Sequence, residues 1–484
     1  MEIKDIINQR LEKLNSLKKI GLNPYQEKFL KPKTIALILA DFKQGEVVNL
    51  AGRIMAIRSH GKVSFFDLQD SSAKIQLYVK SELLSQNSAE TFKAIDIGDI
   101  AGIKGELFKT HTQEPTVKVT ELLLLSKSLR PLPEKWHGLK DIEIRYRKRY
   151  IDLIANQDVK KIFELRTRII SLIRKFLDDR GFLEVETPML QAIPGGARGK
   201  PFKSFHNEYD MDVFLRIAPE LYLKRLLVGG FEKIYEINRS FRNEGVSTRH
   251  NPEFTMLEVY ACYWDYEDMM KLCEEIFCFL AKEIFGSLKI NYQEKEIDLT
   301  PHWQKVSFAK VVKEKFNIDP KDSPEAILQK IKKLQKDISL EEGRLTRSHV
   351  MKIVEDLLQE SETFNPVFFT DYFSLLSPLA KARIDNPDLS QRFELFVGGI
   401  EIANAYTEQN DPIEQRKRFE FDLKEDSESK TIDEDYVEAL EYGMPPAGGL
   451  GIGIDRLLML FTNSASIREV ILFPLLRPEK GRAE

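Results

Sequence analysis

FEKIYEINRSFRNEGVSTRHNPEFTMLEVY, residues 231–260, is the stretch whose reading decides the fold. From Tyr235 to Arg242 the period is two, so Glu236, Asn238, Ser240 and Arg242 share one face, while Tyr235, Ile237 and Phe241 suit packing on the other. After a polar turn the alternation resumes: Phe254, Met256, Glu258 and Tyr260 share a face, with Leu257 and Val259 behind. A hairpin built this way projects Arg242, Glu244, Arg249, His250, Phe254, Glu258 and Tyr260 toward one cavity. That inventory suits a nucleotide, because a guanidinium offers a planar fork for phosphate oxygens and Phe offers a stacking surface. Each residue taken singly also fits an exposed, salt-bridged hairpin; their co-occurrence favours a site.

The order Phe241-Arg242-x-Glu244, a short loop, then Arg249-His250-x-Pro252-Glu253-Phe254 resembles motif 2 of the class II aminoacyl-tRNA synthetases. Farther on, AGGLGIGIDRLLMLFTNS (447–464) carries Gly449, Gly451 and Gly453 at alternate positions before Asp455-Arg456. Glycines on one strand face let a ligand lie against the backbone. The stretch lacks the Gly-Lys-Ser/Thr of a Walker loop and the βαβ setting of a dinucleotide fold. It resembles motif 3 of the same family. A helical pattern from about Asp158 to Arg180, a stop at Gly181, the strand FLEVET and Pro188 resemble motif 1, which in the family forms the dimer interface.

Length and composition agree with two or three domains of ordinary globular character, 42% hydrophobic and 31% charged over 484 residues. A net charge of −4 leaves no global footprint of a nucleic-acid binder, so a polyanion must meet local patches such as Arg145, Arg147, Lys148 and Arg149. Cys262, Cys273 and Cys278 lack zinc spacing and read as reduced, buried thiols. The charged amphipathic amino terminus is no signal peptide, and no apolar run is long enough to span a bilayer; a cytoplasmic protein is expected.

The expected fold class is α+β, with a helical segment at 1–44, a barrel at 45–128, a Pro-rich linker at 129–145, and a catalytic domain at 146–484 whose antiparallel sheet is flanked by helices and interrupted by a lysine-rich helical insertion at about 305–360. In the barrel, Phe66, Leu68, Ile75, Leu77 and Val79 should point inward, leaving Phe65, Asp67, Gln76 and Tyr78 outside. Such a surface can stack unpaired bases and bond their edges, although one exposed aromatic is ordinary on any barrel. The segment resembles the OB-fold anticodon reader of the Asp/Asn/Lys subgroup, which implies anticodon contacts from Phe65, Gln76 and Glu114.

The phrases RIAPELYLKR, HNPEFTMLEVY, SPLAK and GIEIANAYTE closely resemble the lysyl-specific branch of that subgroup. The resemblance implies ligation of lysine to tRNA(Lys) through an adenylate, with ATP as co-substrate, Mg²⁺ as metal and a homodimeric state. It implies that Glu220, Glu408 and Tyr260 hold the ε-ammonium, with Tyr406 lining the same pocket. Gly196 and Glu258 would hold the α-amino group, and Arg242 with Asn404 the α-carboxylate. Arg242, Glu244 and His250 would contact ATP, adenine would lie between Phe254 and Arg456, and Glu394 with Glu401 would take the metal. Charge logic agrees, since three acids repel an anionic side chain and hold an ammonium. An aspartyl- or asparaginyl-type enzyme, a non-enzymatic tRNA-binding paralogue and a protein-modifying lysine ligase are the rival readings. Strict alternation puts Glu401 on the face opposite Asn404, Tyr406 and Glu408, so either a bulge intervenes or the metal lies around the strand's edge.

Overall fold

The alternating segments from Val47 onward close, in the computed structural model, into a five-stranded barrel. The structure describes residues 2–30, 33–61, 63–132, 141–197, 199–319, 321–334, 364–425 and 431–478. Part of the expected linker, the second part of the lysine-rich insertion (335–360, with 320) and Arg198 lie outside the described residues. The chain divides into two units, Met1–Lys140 and Asp141–Glu484.

In the first unit, β1 (Val47–His60), β2 (Val63–Gln69), β3 (Lys74–Lys80), β4 (Ile100–Lys109) and β5 (Pro115–Ser126) close in the order β1-β2-β3-β5-β4. Only β3 and β5 pair in parallel. Phe66, Leu68, Ile75, Leu77 and Val79 are buried in the barrel core with Leu50, Ile103 and Val117. Period-two alternation thus sorts the two faces as expected. Asp67 departs from the reading: it shares the outer face with Phe65 but is buried. Arg58 Nη2 donates to its Oδ1 at 2.7 Å and Lys74 Nζ to its Oδ2 at 3.2 Å. Burial raises that carboxyl's pKa, and the two cations outweigh it, so the net shift is downward.

In the second unit two short helices, Ile142–Arg147 and Arg149–Ala155, lead into the helix Gln157–Asp178, whose Ile169, Ile173, Phe176 and Leu177 are buried. Gly181 ends it at φ +79°, a conformation that favours glycine. The strands that follow are β6 (Leu183–Glu184), β7 (Leu190–Gln191), β8 (Phe202–His206), β9 (Met211–Leu215), β10 (Lys233–Phe241), β11 (Glu253–Cys262), β12 (Lys289–Tyr292), β13 (Lys295–Asp298), β14 (Gln304–Ser307), β15 (Val367–Thr370), β16 (Arg392–Val397), β17 (Ile400–Thr407) and β18 (Ala447–Gly453). Eight of them form one sheet in the order β14-β15-β16-β17-β18-β11-β10-β6, antiparallel except at β14–β15 and β10–β6. Residues 305–307, read above as the start of the insertion, therefore belong to an edge strand. One sheet face is sealed by the helices Gln157–Asp178, Tyr266–Phe285 and Ile454–Phe461, where Leu257, Val259, Leu395, Leu450 and Ile452 meet Phe176, Ile276 and Leu458. The three cysteines are free and buried, as expected.

The basic run Arg145–Arg149 is not an open polyanion surface. Arg149 is fully buried: Nη1 donates to Asp152 Oδ2 at 2.7 Å, Nη2 to Arg468 O at 2.7 Å and Nε to Leu472 O at 3.1 Å. Arg145 binds the other oxygen of Asp152 at 3.0 Å, and Arg147 is paired with Glu143. Short-range acids and carbonyls from the carboxy-terminal segment have absorbed the charge. Arg149→Ala should therefore lower stability by about 3 kcal/mol, because buried acceptors lose their donor. Denaturant unfolding measures this; an unchanged midpoint with weakened tRNA binding would restore the surface reading.

Candidate active site

The hairpin read from sequence forms, and its pairing brings the two expected faces together. Glu236 faces Glu258, Asn238 faces Met256 and Ser240 faces Phe254 across β10 and β11. On the other side of β11, β18 sets Gly451 opposite Glu258 and Gly449 opposite Tyr260. β17 then sets Asn404 opposite Gly451 and Tyr406 opposite Gly449. The sheet thus carries a strand of glycines between two strands of polar side chains, which makes a trough with a backbone floor. A Cβ at Gly449 would collide with Glu408 Oε1 and come within 2.7 Å of the Tyr260 ring. One at Gly451 would meet Met256 Cε at 3.2 Å and Asn404 O at 3.7 Å.

The parity conflict at Glu401 resolves as a bulge. Leu395 pairs with Ala403, but Phe396 pairs with Glu401, so Ile402 is an extra residue in β17. Ile402 and Ala403 are consecutive and both buried, and Glu401 returns to the face of Asn404 and Tyr406.

At one end of the trough three acids converge. Glu220 opens the helix Glu220–Val228, Glu258 lies on β11, and Glu408 follows β17; all three are buried. Tyr406 donates to Glu220 Oε2 at 2.6 Å and Tyr260 to Glu258 Oε2 at 3.0 Å. Gly196, at φ +84°, lies against Glu220, where an added Cβ would sit 3.2 Å from Glu220 Cβ. Burial first, and then repulsion from Glu220, pushes the Glu258 carboxyl up to about 8. Lys224, one turn after Glu220, is wholly buried; its Nζ donates to Glu220 Oε1 at 2.6 Å and forms an ion pair with Glu408 Oε2. Sequence reading missed this lysine, although the Glu220-x-x-x-Lys224 spacing could have flagged it.

At the centre lies Arg242. Its guanidinium stands over the Phe254 ring, 5.2 Å from the centroid, and its buried Nε has no hydrogen-bond partner. Burial holds its pKa below the ordinary arginine range. The other trough arginines are committed. Arg216 binds Glu236 Oε1 at 2.6 Å, Arg392 binds Glu394 Oε1 at 2.5 Å, and Arg456 binds Glu401 Oε2 at 3.0 Å. Arg242 is the one of these four that no described carboxylate or carbonyl holds, which suits it to an incoming anion. Glu244 sits close by, with Gly199 packed over it and over Arg242.

Arg456 also reaches His250 Nε2 at 3.1 Å. With Nε2 accepting from Arg456, a neutral His250 carries its proton on Nδ1, which lies 2.9 Å from Ser247 Oγ. Burial and Arg456 lower the His250 pKa, which favours this neutral form. The guanidinium over Phe254 is thus Arg242's, while Arg456 is grouped with Glu401 and His250. Asp455 is an anchor: it accepts from Arg166 at 2.5 Å and from the Thr255 amide at 2.7 Å, fixing the glycine strand's helix to β11. Asn404 accepts from Arg392 Nε at 3.1 Å, which leaves its amide nitrogen as a donor.

Glu394 and Glu401 supply hard oxygen donors from adjacent strands. Glu394 also accepts from Tyr372 at 2.8 Å. Among the described residues no three His, Cys, Asp or Glu groups converge as a metal cage. Two carboxylates alone fit a cation such as Mg²⁺, which takes one or two of them and completes its shell with phosphates and water.

On the barrel, Phe65 and Tyr78 face each other edge to face at 5.6 Å, and Tyr78 meets Phe108 at 5.9 Å. Gln76 accepts from Thr116 Oγ1 at 3.1 Å, and Glu114 is exposed in the β4–β5 turn. The three rings and Gln76 are half-buried, presenting flat apolar faces beside an amide.

Residues 141–477 match the family described as tRNA synthetases class II (D, K and N), and residues 48–125 match the OB-fold nucleic acid binding domain. The chain is 51% identical to a lysine–tRNA ligase of Carboxydothermus hydrogenoformans, over 99% of each chain. It is 47% identical to one of Thermotoga maritima, over 100% of this chain and 98% of the other. Against one of Aquifex aeolicus it is 50% identical over 90% of this chain and 74% of the relative. No described helix is long and apolar enough to cross a membrane.

The glycine floor is open to test. Gly449→Ala should cost about 1–3 kcal/mol by overpacking against Glu408 and Tyr260. Gly451→Ala should leave stability within about 0.5 kcal/mol while weakening ATP binding. Unfolding curves and calorimetric ATP titrations check both; equal destabilisation with unchanged ATP affinity would contradict the trough.

Proposed function

Because the chain belongs to the class II tRNA synthetases of the D, K and N group, and by its relatives to the lysine–tRNA ligases, we propose that it joins L-lysine to the 3′ end of tRNA(Lys) with cleavage of ATP to AMP and pyrophosphate. The observation that carries the choice of amino acid is the convergence of Glu220, Glu258 and Glu408 in one buried pocket. An aspartate side chain would meet repulsion there, and an asparagine amide would leave buried charge unpaired.

Glu220, Glu408 and Tyr260 hold the ε-ammonium, and Tyr406 positions Glu220 through its hydroxyl. Glu258 and the Gly196 backbone receive the α-amino group. Arg242 and the Asn404 amide hold the α-carboxylate, and Arg242 reaches the α-phosphate as well. Glu244 and His250 contact the remainder of ATP, with adenine held at Phe254 and Arg456. In the first step a carboxylate oxygen of lysine attacks the α-phosphorus and pyrophosphate leaves. The terminal 3′-hydroxyl of tRNA then attacks the adenylate carbonyl and AMP leaves. Neither step needs a nucleophilic side chain; orientation and charge stabilisation by Arg242 carry the first. Glu394 and Glu401 would hold Mg²⁺, which when bound neutralises phosphate charge.

Phe65, Gln76 and Glu114 read anticodon bases on the barrel. Exposed Leu183, Met189 and Leu190, beside Pro188, support a homodimer through this face. The cytoplasm is the compartment proposed for it.

Arg242→Ala is expected to slow lysine-dependent ATP–pyrophosphate exchange by about 10²–10³-fold, as loss of an oxyanion donor does. Phe65→Ala should spare that exchange but impair tRNA charging, since stacking is worth ~1–3 kcal/mol per base. Unimpaired exchange in the first variant, or equal loss of both activities in the second, would overturn the respective role.

A further inference from the structure

Lys224 is the one buried cation of the acid pocket among the described residues, and neither substrate nor chain fold accounts for it. Its ammonium lies between Glu220 on its own helix and Glu408 after β17, with Nζ 5.5 Å from the Tyr406 ring centroid. Tyr260 and Glu258 face the cluster from β11, and the buried Tyr436, from the helix Glu434–Glu441, closes it. Glu408 Oε1, pressed against Gly449, has no hydrogen-bond partner.

We propose that Lys224 is a positioning and specificity-determining residue: a resident ammonium, clasped by Glu220 and Glu408, that aims both carboxylates and opposes their sharing a proton, so that the pocket takes a second ammonium and refuses a neutral side chain. The proposal rests on lysine being the substrate. Two buried carboxylates brought together without a cation share a proton. A protonated acid becomes a donor, and such a pair would tolerate an apolar or hydroxyl-bearing side chain. With Lys224 in place, Glu220, Glu408 and Lys224 carry a net charge of about −1, which one substrate ammonium neutralises. Burial pulls the Lys224 ammonium's pKa down, but Glu220 and Glu408 outweigh it and the net shift is upward. Burial, with Glu220 and Glu258, holds the Glu408 carboxyl well above the ordinary carboxylate range, and Lys224 is the group that opposes the rise without cancelling it. Removing it therefore tips the pair toward the shared-proton state.

The test is lysine-dependent ATP–pyrophosphate exchange by the full-length protein and its Lys224→Met variant between pH 6 and 8.5. Lysine must then displace a proton from the variant, so its KM relative to the parent should be raised at low pH. That ratio should fall as pH rises, by up to about tenfold per unit. Norleucine, the uncharged analogue, should become a better competitor. Adding Glu220→Gln removes one of the two carboxylates that would share that proton, so the double variant should lose the extra pH dependence and bind lysine better than Lys224→Met alone. A KM ratio independent of pH, together with a double variant worse than either single one, would make Lys224 a packing residue and overturn the proposal. If Lys224→Met does not fold, the double variant is expected to fold, because its charge balance is restored; failure of both also overturns it. Absence of lysine-dependent exchange in the parent protein would instead refute the substrate on which the proposal rests.

Discussion

Three carboxylates buried within one pocket constitute the constraint to which the rest of the second unit answers. In a low-dielectric site, like charges this close cannot all remain ionised without compensation. The fold meets the constraint in two ways. Glu220 and Glu408 share Lys224, and Glu258 is shifted toward its protonated form at neutral pH. The first arrangement requires Glu408 to come close to the sheet, and only a glycine at position 449 leaves room for it. The glycine strand is thus both the floor of the trough and a condition for the acid cluster beside it.

The remainder of the trough follows the same logic of paired and unpaired charge. Glu236 stands directly across from Glu258, yet it is removed from the site by Arg216 and by Thr187, which donates to it at 2.7 Å. Glu394 and Glu401 are each matched by an arginine, and Arg242 is left to meet an anion. A gradient results along the sheet, with an acid end suited to an ammonium and a basic centre suited to a carboxylate and a phosphate. The barrel works by another means: flat rings and one amide on a mixed surface, with Asp67 hidden beneath two cations.

Much of this was legible in sequence because it depends on period. Alternation assigns Leu257 and Val259 to the core and Glu258 and Tyr260 to the trough, and it sorts the barrel strands correctly. Gly181 and the 449–453 glycines announce a helix stop and a bare strand through what glycine alone permits. What escaped depends on partners distant in the chain. The bulge at Ile402, one of the two alternatives that strict parity leaves open at Glu401, is set by pairing with β16. Arg149 reads as part of a basic patch until the carbonyls of residues 468–472 are folded onto it. Asp455 reads as part of a ligand motif until Arg166 and the Thr255 amide are seen to hold it. Lys224 escaped for the same reason, since its second carboxylate lies far away in sequence.

Selection of a long cationic side chain by the acid end of the trough is tested most directly by an ATP–pyrophosphate exchange panel with lysine, norleucine, aspartate and asparagine at one pH. Exchange with lysine and none above background with the other three is expected. Exchange with asparagine or norleucine at a rate comparable to that with lysine would contradict it.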